Sequence, residues 1–185
     1  MAESEPLVDK LLVAIHKETG FVHVQGRGSF KISTALKQFG QAAIEAHCVR
    51  LVMDMEDCIG MDSTFMGVLA GLAFHLRKLP DGAIIMVNLN PRTRGLLGTL
   101  GLDQIIEAHL AGAAPETLNE VMSISSQMHT LETDEPSQRA TAETMLEAHE
   151  NLIQLSPDNL PKFKDVLTFL RQDIQRIKRP GREGQ

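Results

Sequence analysis

The chain has 185 residues, of which 43% are hydrophobic, and its formal net charge is −6 at pH 7. This length favours one domain with an appendage, and the apolar share is ordinary for a protein that buries a core. The acidic balance disfavours nucleic-acid binding, because neutralising phosphates requires clustered lysine and arginine, and the chain has neither tryptophan nor tyrosine for base stacking.

Strand and helix patterns alternate through most of the chain. Strands are indicated by period-two alternation or short apolar runs, and helices by apolar residues at a spacing near 3.6. In chain order the predicted elements are strands over 11–17 and 21–25, a helix capped by Ser33 or Thr34, a strand over 49–55, a helix over 64–79, a strand over 83–89, a helix over 91–99, a short strand or turn from Ile105 and a short helix over 115–122. This order predicts an α/β fold with a mixed, mostly parallel sheet.

Glycines indicate three local features within this pattern. Gly20 marks a hairpin turn between the first two strands, and residues 26–28 are expected to end the second strand. Gly67 and Gly71 lie inside a predicted helix, where each glycine costs about 1 kcal/mol. Because they are four residues apart, they indicate close packing or a partner surface on one side of that helix.

The composition changes after the predicted sheet. We predict a domain over 1–126, a polar linker over 127–140, an amphipathic helical extension over 141–179 and a disordered tail over 180–185. Isolated helices of this length are marginal in water. We therefore expect the extension to pack on the domain, to pair its helices with each other, or to form a homodimer.

The sequence also predicts where the protein works. No apolar run approaches the roughly 18 residues that a membrane span needs, and the N-terminus is acidic where a signal peptide would be basic. We expect a cytoplasmic protein without membrane insertion. Cys48 and Cys58 have no metal-ligand spacing and are interpreted as small buried residues, so no metal and no cofactor are predicted.

Two stretches resemble the STAS domain of anti-sigma factor antagonists. The first contains Leu51–Met55, Cys58–Thr64 and Gly67–Leu69, which make a buried strand with an acidic residue near its end, a loop, and Asp-Ser before an apolar helix. The second stretch consists of Asn90 and Pro91 followed by Arg94, Leu97, Gly101 and Leu102. The resemblance covers about residues 10–121 and implies a STAS-like fold for the first domain.

The resemblance implies a regulatory, non-enzymatic role in a partner-switching pathway. In such pathways a kinase-like anti-sigma factor phosphorylates the serine and releases the antagonist, and a phosphatase resets it. The matching serine here is Ser63, with Thr64 as the lesser acceptor. The residues predicted to bind the partner are Asp57, Met61, Asp62, Ser63, Thr64, Phe65, Met66 and Gly67. Many members have glycine where this chain has Phe65, so a large apolar group is expected near the hydroxyl.

Two other interpretations of the Asp62–Thr64 segment stay open. It has the residue types of an ordinary helix cap. If the segment is only such a cap, the protein is an accessory or structural STAS subunit of a transporter or stress-signalling assembly. A small-molecule or lipid-carrier binding domain is a third alternative.

The acidic residues around the Asp-Ser motif allow a second kind of site. Asp54, Glu56, Asp57 and Asp62 form either a Mg²⁺ site or, as we favour, a solvated acidic rim. No Ser/His/Asp catalytic set is predicted, because no local pattern places a histidine near Ser63.

Overall fold

The computed structural model describes residues 8–118, 123–132 and 134–178. Its regular elements, in chain order, are β1 (Lys10–His16), β2 (Thr19–Gly28), α1 (Phe30–Glu45), β3 (Arg50–Asp54), β4 (Cys58–Met61), α2 (Ser63–Leu76), β5 (Ala83–Leu89), α3 (Pro91–Leu100), β6 (Glu107–Leu110), β7 (His129–Thr130), α4 (Gln138–Leu155) and α5 (Leu160–Lys178). The predicted disordered tail over 180–185, and part of the helix predicted over 115–122, lie outside the described residues. No helix in the described ranges is long and apolar enough to cross a membrane.

The sheet is mixed and mostly parallel, as the sequence predicts. Its strand order is β6-β5-β3-β2-β1-β7, and β4 pairs with the end of β2. The strand β1 runs antiparallel to β2 and β7, while the other pairs are parallel. Parallel pairs need crossover connections, and the helices between the strands provide them.

Two predictions at the end of β2 are wrong. The strand does not stop before residues 26–28 but continues through them. They pair with β4, with Gly28 opposite Met61. The register shifts at Gly26, whose φ of 78° is accessible to glycine at little cost. The segment predicted as a loop before the switch serine is therefore strand β4, held against β2.

The predicted cap of the first helix is also wrong. The helix α1 begins at Phe30 with Ser29 as its N-cap residue, so Ser33 and Thr34 lie inside the helix and are buried. The Ser33 hydroxyl donates to the carbonyl of Ser29, one turn earlier. Such back-bonding satisfies a buried hydroxyl within a helix, which is why a capping residue type is tolerated there.

The helix α2 is the centre of the packed structure. Ten of its fourteen residues are buried, and a helix that is apolar on nearly all sides is covered on nearly all sides. Both α1 and α4 pack against it, and α4 contributes the larger contact. Ala148, Leu152 and Phe163 of the C-terminal helices belong to the main hydrophobic cluster together with Leu69 of α2.

Candidate functional site

A single carboxylate organises the start of α2. Asp62 has extended backbone angles and is the N-cap residue, so Ser63 is the first residue of the helix. Its Oδ1 accepts from the backbone N–H of Phe65 at 2.9 Å, and its Oδ2 accepts from the backbone N–H of Phe30 at 2.7 Å. Asp62 therefore joins the N-terminal ends of α1 and α2, and fixes Ser63 at the positive end of the α2 dipole.

The Ser63 hydroxyl is hydrogen-bonded to a histidine of the C-terminal extension. Ser63 Oγ lies 3.0 Å from His149 Nε2, and His149 Nδ1 lies 2.6 Å from the carbonyl oxygen of Met145. Because a carbonyl only accepts, Nδ1 carries the proton, and in the neutral ring Nε2 accepts from Ser63. His149 is only 3% exposed, and its ring packs edge-on against Phe163 with 4.9 Å between centroids.

The backbones of α2 and α4 meet directly beside this pair. A Cβ atom built on Gly67 would lie 2.2 Å from the carbonyl oxygen of Ala148, and one on Gly71 would lie 2.4 Å from Asn151 Nδ2. Asn151 Nδ2 also donates to the carbonyl of Gly67 at 3.2 Å. The two glycines four residues apart serve close packing, one of the two alternatives that the sequence left open, and they pack against this chain's own α4.

The predicted partner-binding residues are distributed unevenly between surface and core. Asp57 is exposed, while Asp62 and Ser63 are half-buried. The remaining predicted residues are buried, namely Met61, Thr64, Phe65, Met66 and Gly67. Their partner contact stays a prediction, and in the folded chain most of them face the interior.

The sequence predicts that Phe65 places a large apolar group beside the Ser63 hydroxyl, but the structure places the Phe65 side chain elsewhere. Its side chain is fully buried, and a Cβ atom built on Gly28 would lie 2.7 Å from the Phe65 ring. The ring therefore points under the β2 and β4 strands, against a position where only glycine leaves room. The side chain that contacts the Ser63 hydroxyl is that of His149.

The acidic residues after β3 form a polar row with a histidine. His23 Nδ1 lies 3.0 Å from Asp54 Oδ2, and Nε2 lies 2.9 Å from Asp57 Oδ2. Asn88 Nδ2 donates to the other oxygen of Asp54 at 2.9 Å. Within the described ranges, no group of three or more histidine, cysteine or acidic side chains is arranged to hold a metal ion.

The pKa values of this row follow from its hydrogen bonds. The bond to Asp54 raises the pKa of His23 above 6.5, burial opposes this, and Asp57 adds to the increase. Burial pushes the pKa of Asp54 upward, but hydrogen bonds from His23, Asn88 and the backbone of Glu56 outweigh it and lower the pKa. The His23 ring therefore favours its protonated form between two carboxylates.

Sequence reasoning missed His149 as a member of the site. It is 86 residues from Ser63, and no local pattern connects the two. One signal was present: His149 lies on the apolar stripe of α4, between Met145 and Leu152. A polar side chain on a buried stripe requires a polar partner, although the sequence does not say which one.

Comparisons with known proteins place the fold in a family. A family model described as "Mlab, STAS domain" matches residues 11–107, which is more than half of the chain. The chain belongs to the STAS family. No curated protein sequence matches this STAS protein.

Several solved STAS structures are similar to it. The anti-sigma factor antagonist SpoIIAA in its unphosphorylated form is 18% identical with a TM-score of 0.51, and the match covers 62% of this chain and 97% of SpoIIAA. An anti-sigma factor antagonist from Mycobacterium paratuberculosis is 22% identical with a TM-score of 0.48, covering 64% of this chain and 95% of its own. The similarity to SpoIIAA shows a shared fold.

Proposed function

We propose that this STAS protein is a regulatory protein-binding module, an anti-sigma factor antagonist whose partner binding is controlled by phosphorylation of Ser63. The observation that carries the proposal is the position of Ser63 as the first residue of α2, directly after the Asp62 cap. A half-buried hydroxyl at this place can take up negative charge, because helix N-termini stabilise anions.

Burial separates the two candidate acceptors. Thr64 is 3% exposed, whereas Ser63 is half-buried. A kinase needs access to the hydroxyl oxygen, so the accessibility supports Ser63 as the acceptor. The proposed partners are a kinase-like anti-sigma factor, which reads the unmodified serine, and a phosphatase that restores it. SpoIIAA, whose fold this chain shares, is an anti-sigma factor antagonist solved in an unphosphorylated form.

The proposal is tested by phosphorylation and binding in one experiment. The full chain is mixed with ATP and a kinase-like anti-sigma factor from the same genome, and modified residues are mapped by mass spectrometry. We expect one phosphate on Ser63, none on Ser63→Ala, and a loss of about tenfold or more in partner binding for Ser63→Asp. Absence of phosphate on Ser63 and Thr64, with unchanged binding of both variants, would overturn the proposal.

A second candidate function is an accessory STAS subunit that does not switch. The observation that favours it is the hydrogen bond between Ser63 and the buried His149, which makes the serine a structural contact. In that case Ser63→Ala weakens the packing of α4, and Ser63→Asp and Ser63→Ala affect assembly with the larger complex equally. Co-purification of the protein with a transporter or stress-signalling assembly, independent of the charge at residue 63, would identify this function.

A further inference from the structure

The C-terminal hairpin, defined as α4 and α5, covers the side of α2 that carries the predicted switch residues. Its contacts there are direct: His149 bonds to Ser63, Ala148 meets the backbone of Gly67, and Asn151 bonds to the carbonyl of Gly67. A partner that binds these α2 residues would have to occupy space that α4 already fills. Two of the predicted partner-binding residues, Ser63 and Gly67, are therefore covered within the same chain.

The imidazole of His149 occupies one side of the Ser63 hydroxyl. Its Nδ1 is held by the carbonyl of Met145 and one ring edge is held by Phe163, so the ring cannot rotate away while α4 stays in place. A phosphate on Ser63 would compete for the volume beside Oγ that this ring fills. The ring moves only with its helix.

The helix in turn moves as part of the hairpin. Arg171 of α5 pairs with Glu150 of α4 at 3.1 Å, and Asn159 between the helices donates to the carbonyl of Leu152 at 2.8 Å. The described residues that join β7 to α4, at 131–132 and 134–137, have no regular secondary structure. The hairpin is thus internally tied and connected to the sheet by a segment without regular structure.

We propose that the C-terminal hairpin is an intramolecular cover of α2. The hairpin has to leave α2 before Ser63 is phosphorylated or the partner binds, and it cannot return while Ser63 carries a phosphate. This proposal rests on the proposed function for its biological meaning, because it names how the same site is regulated. The incompatibility between phosphate and the closed hairpin is a separate physical claim. It can be measured without any partner protein.

The first experiment therefore uses the full chain alone. Phosphoserine is incorporated at residue 63 during translation, and amide hydrogen exchange of α4 is compared with that of the unmodified chain and of Ser63→Ala. We expect the α4 amides to exchange about tenfold faster or more in the phosphoserine protein, and by a larger factor than the amides of β3 and β5. Ser63→Ala removes the hydrogen bond to His149 without adding charge or volume. It is the matched control, and we expect it to raise α4 exchange less than phosphoserine does.

Two outcomes of this experiment would overturn the cover. Equal protection of α4 in the phosphorylated and unmodified chains would show that the closed hairpin accepts the phosphate, for example by pairing it with His149. An equal increase in exchange for α4, β3 and β5 would show a general loss of stability instead of a released cover. Neither outcome depends on a kinase, so the failure of the cover and the failure of the proposed function are distinguishable.

A second experiment locks the cover shut. Thr34 of α1 and Thr144 of α4 are both buried, and their hydroxyl oxygens are 3.1 Å apart, so Thr34→Cys with Thr144→Cys places two sulfurs within bonding reach. The native Cys48 and Cys58 are buried, which disfavours their competing for the new disulfide. The single variant Thr34→Cys, which lacks the second thiol, is the control.

The locked chain is tested with the kinase-like anti-sigma factor and ATP. We expect the oxidised double variant to lose phosphate incorporation on Ser63 by about tenfold or more, and reductant to restore it. Equal phosphorylation of the oxidised and reduced forms would overturn the cover, as would failure of the disulfide to form under oxidation. If no form, wild type included, accepts phosphate, the proposed function fails while the exchange experiment still decides the cover.

Discussion

Asp62 is the residue on which the geometry of the switch segment depends. Its two carboxylate oxygens accept from the first turns of two different helices. We expect Asp62→Ala to lower the free energy of unfolding by about 1–2 kcal/mol, since it removes a cap and leaves backbone N–H groups without this acceptor. Urea unfolding followed by circular dichroism measures the change.

Asp62→Asn is the matched control for this prediction. It keeps one oxygen acceptor and nearly the same shape, so its loss should be smaller than that of Asp62→Ala. If Asp62→Ala unfolds at the same urea concentration as wild type, the carboxylate does not join α1 and α2 in solution.

His23 gives the protein a pH-dependent contribution to stability. Its pKa is raised above 6.5, chiefly by the bond to Asp54. The contribution of the charged ring is therefore fully present below about pH 6.5 and is lost as the pH rises through the folded pKa. We expect His23→Gln to be less stable than wild type by about 1–2 kcal/mol at about pH 6, and the difference to shrink at about pH 8.

The exposed His16 provides the comparison for this pH effect. His16→Gln should leave the free energy of unfolding close to that of wild type, because its ring is exposed at the end of β1. If the loss in free energy of unfolding caused by His23→Gln stays constant or grows with pH, the result would contradict the protonated state that Asp54 and Asp57 favour.

At the scale of elements, the close crossing of α2 and α4 requires glycine at position 67. Gly67→Ala would place a methyl group 2.2 Å from the carbonyl oxygen of Ala148, so the two helices must separate. We expect a loss of about 1–3 kcal/mol in the free energy of unfolding, despite the better helix propensity of alanine. Faster hydrogen exchange of α4 and α5 would accompany it.

Gly95 in α3 provides the control that separates the effect of helix propensity on stability from the effect of packing. It is exposed, and no atom lies within 4 Å of a Cβ built on it. Gly95→Ala should therefore stabilise the protein by up to about 1 kcal/mol, opposite in sign to Gly67→Ala. If both alanines stabilise, α2 and α4 are not in backbone contact in solution.

At the scale of the whole molecule, the C-terminal hairpin is part of the core. Ala148, Leu152 and Phe163 are buried in the main cluster, against residues of α2. We expect a chain ending at residue 137 to lose about 3 kcal/mol or more of stability and to bind an apolar dye, because it uncovers apolar surface on α2.

A chain ending at Lys178 is the control for this truncation, since it keeps α4 and α5. It should unfold like the full chain in the same denaturant series. If the chain ending at residue 137 has the same unfolding midpoint and binds no dye, the hairpin contributes nothing to the core. The domain boundary near residue 126 would then describe an independent unit.

Local patterns in the sequence determined most of the elements and the start of the site. The apolar run that became β3, the run that became β5, and the Asp62–Ser63 start of α2 were all predicted from periodicity and capping chemistry. These features depend on neighbours a few residues away. The sequence therefore specified the α/β order, the mixed sheet and the position of Ser63 at a helix end.

Only the tertiary structure decided what covers these elements. Strand β4 exists because residues 26–28 of β2 lie beside it, and Ser63 contacts His149 because α4 crosses α2 at Gly67. Periodicity shows which face of a helix is apolar but not which surface it meets, because that depends on contacts between residues far apart in the chain. The sequence by itself indicated a serine at a helix end, and the packing of the C-terminal hairpin made that half-buried serine a contact of the buried His149.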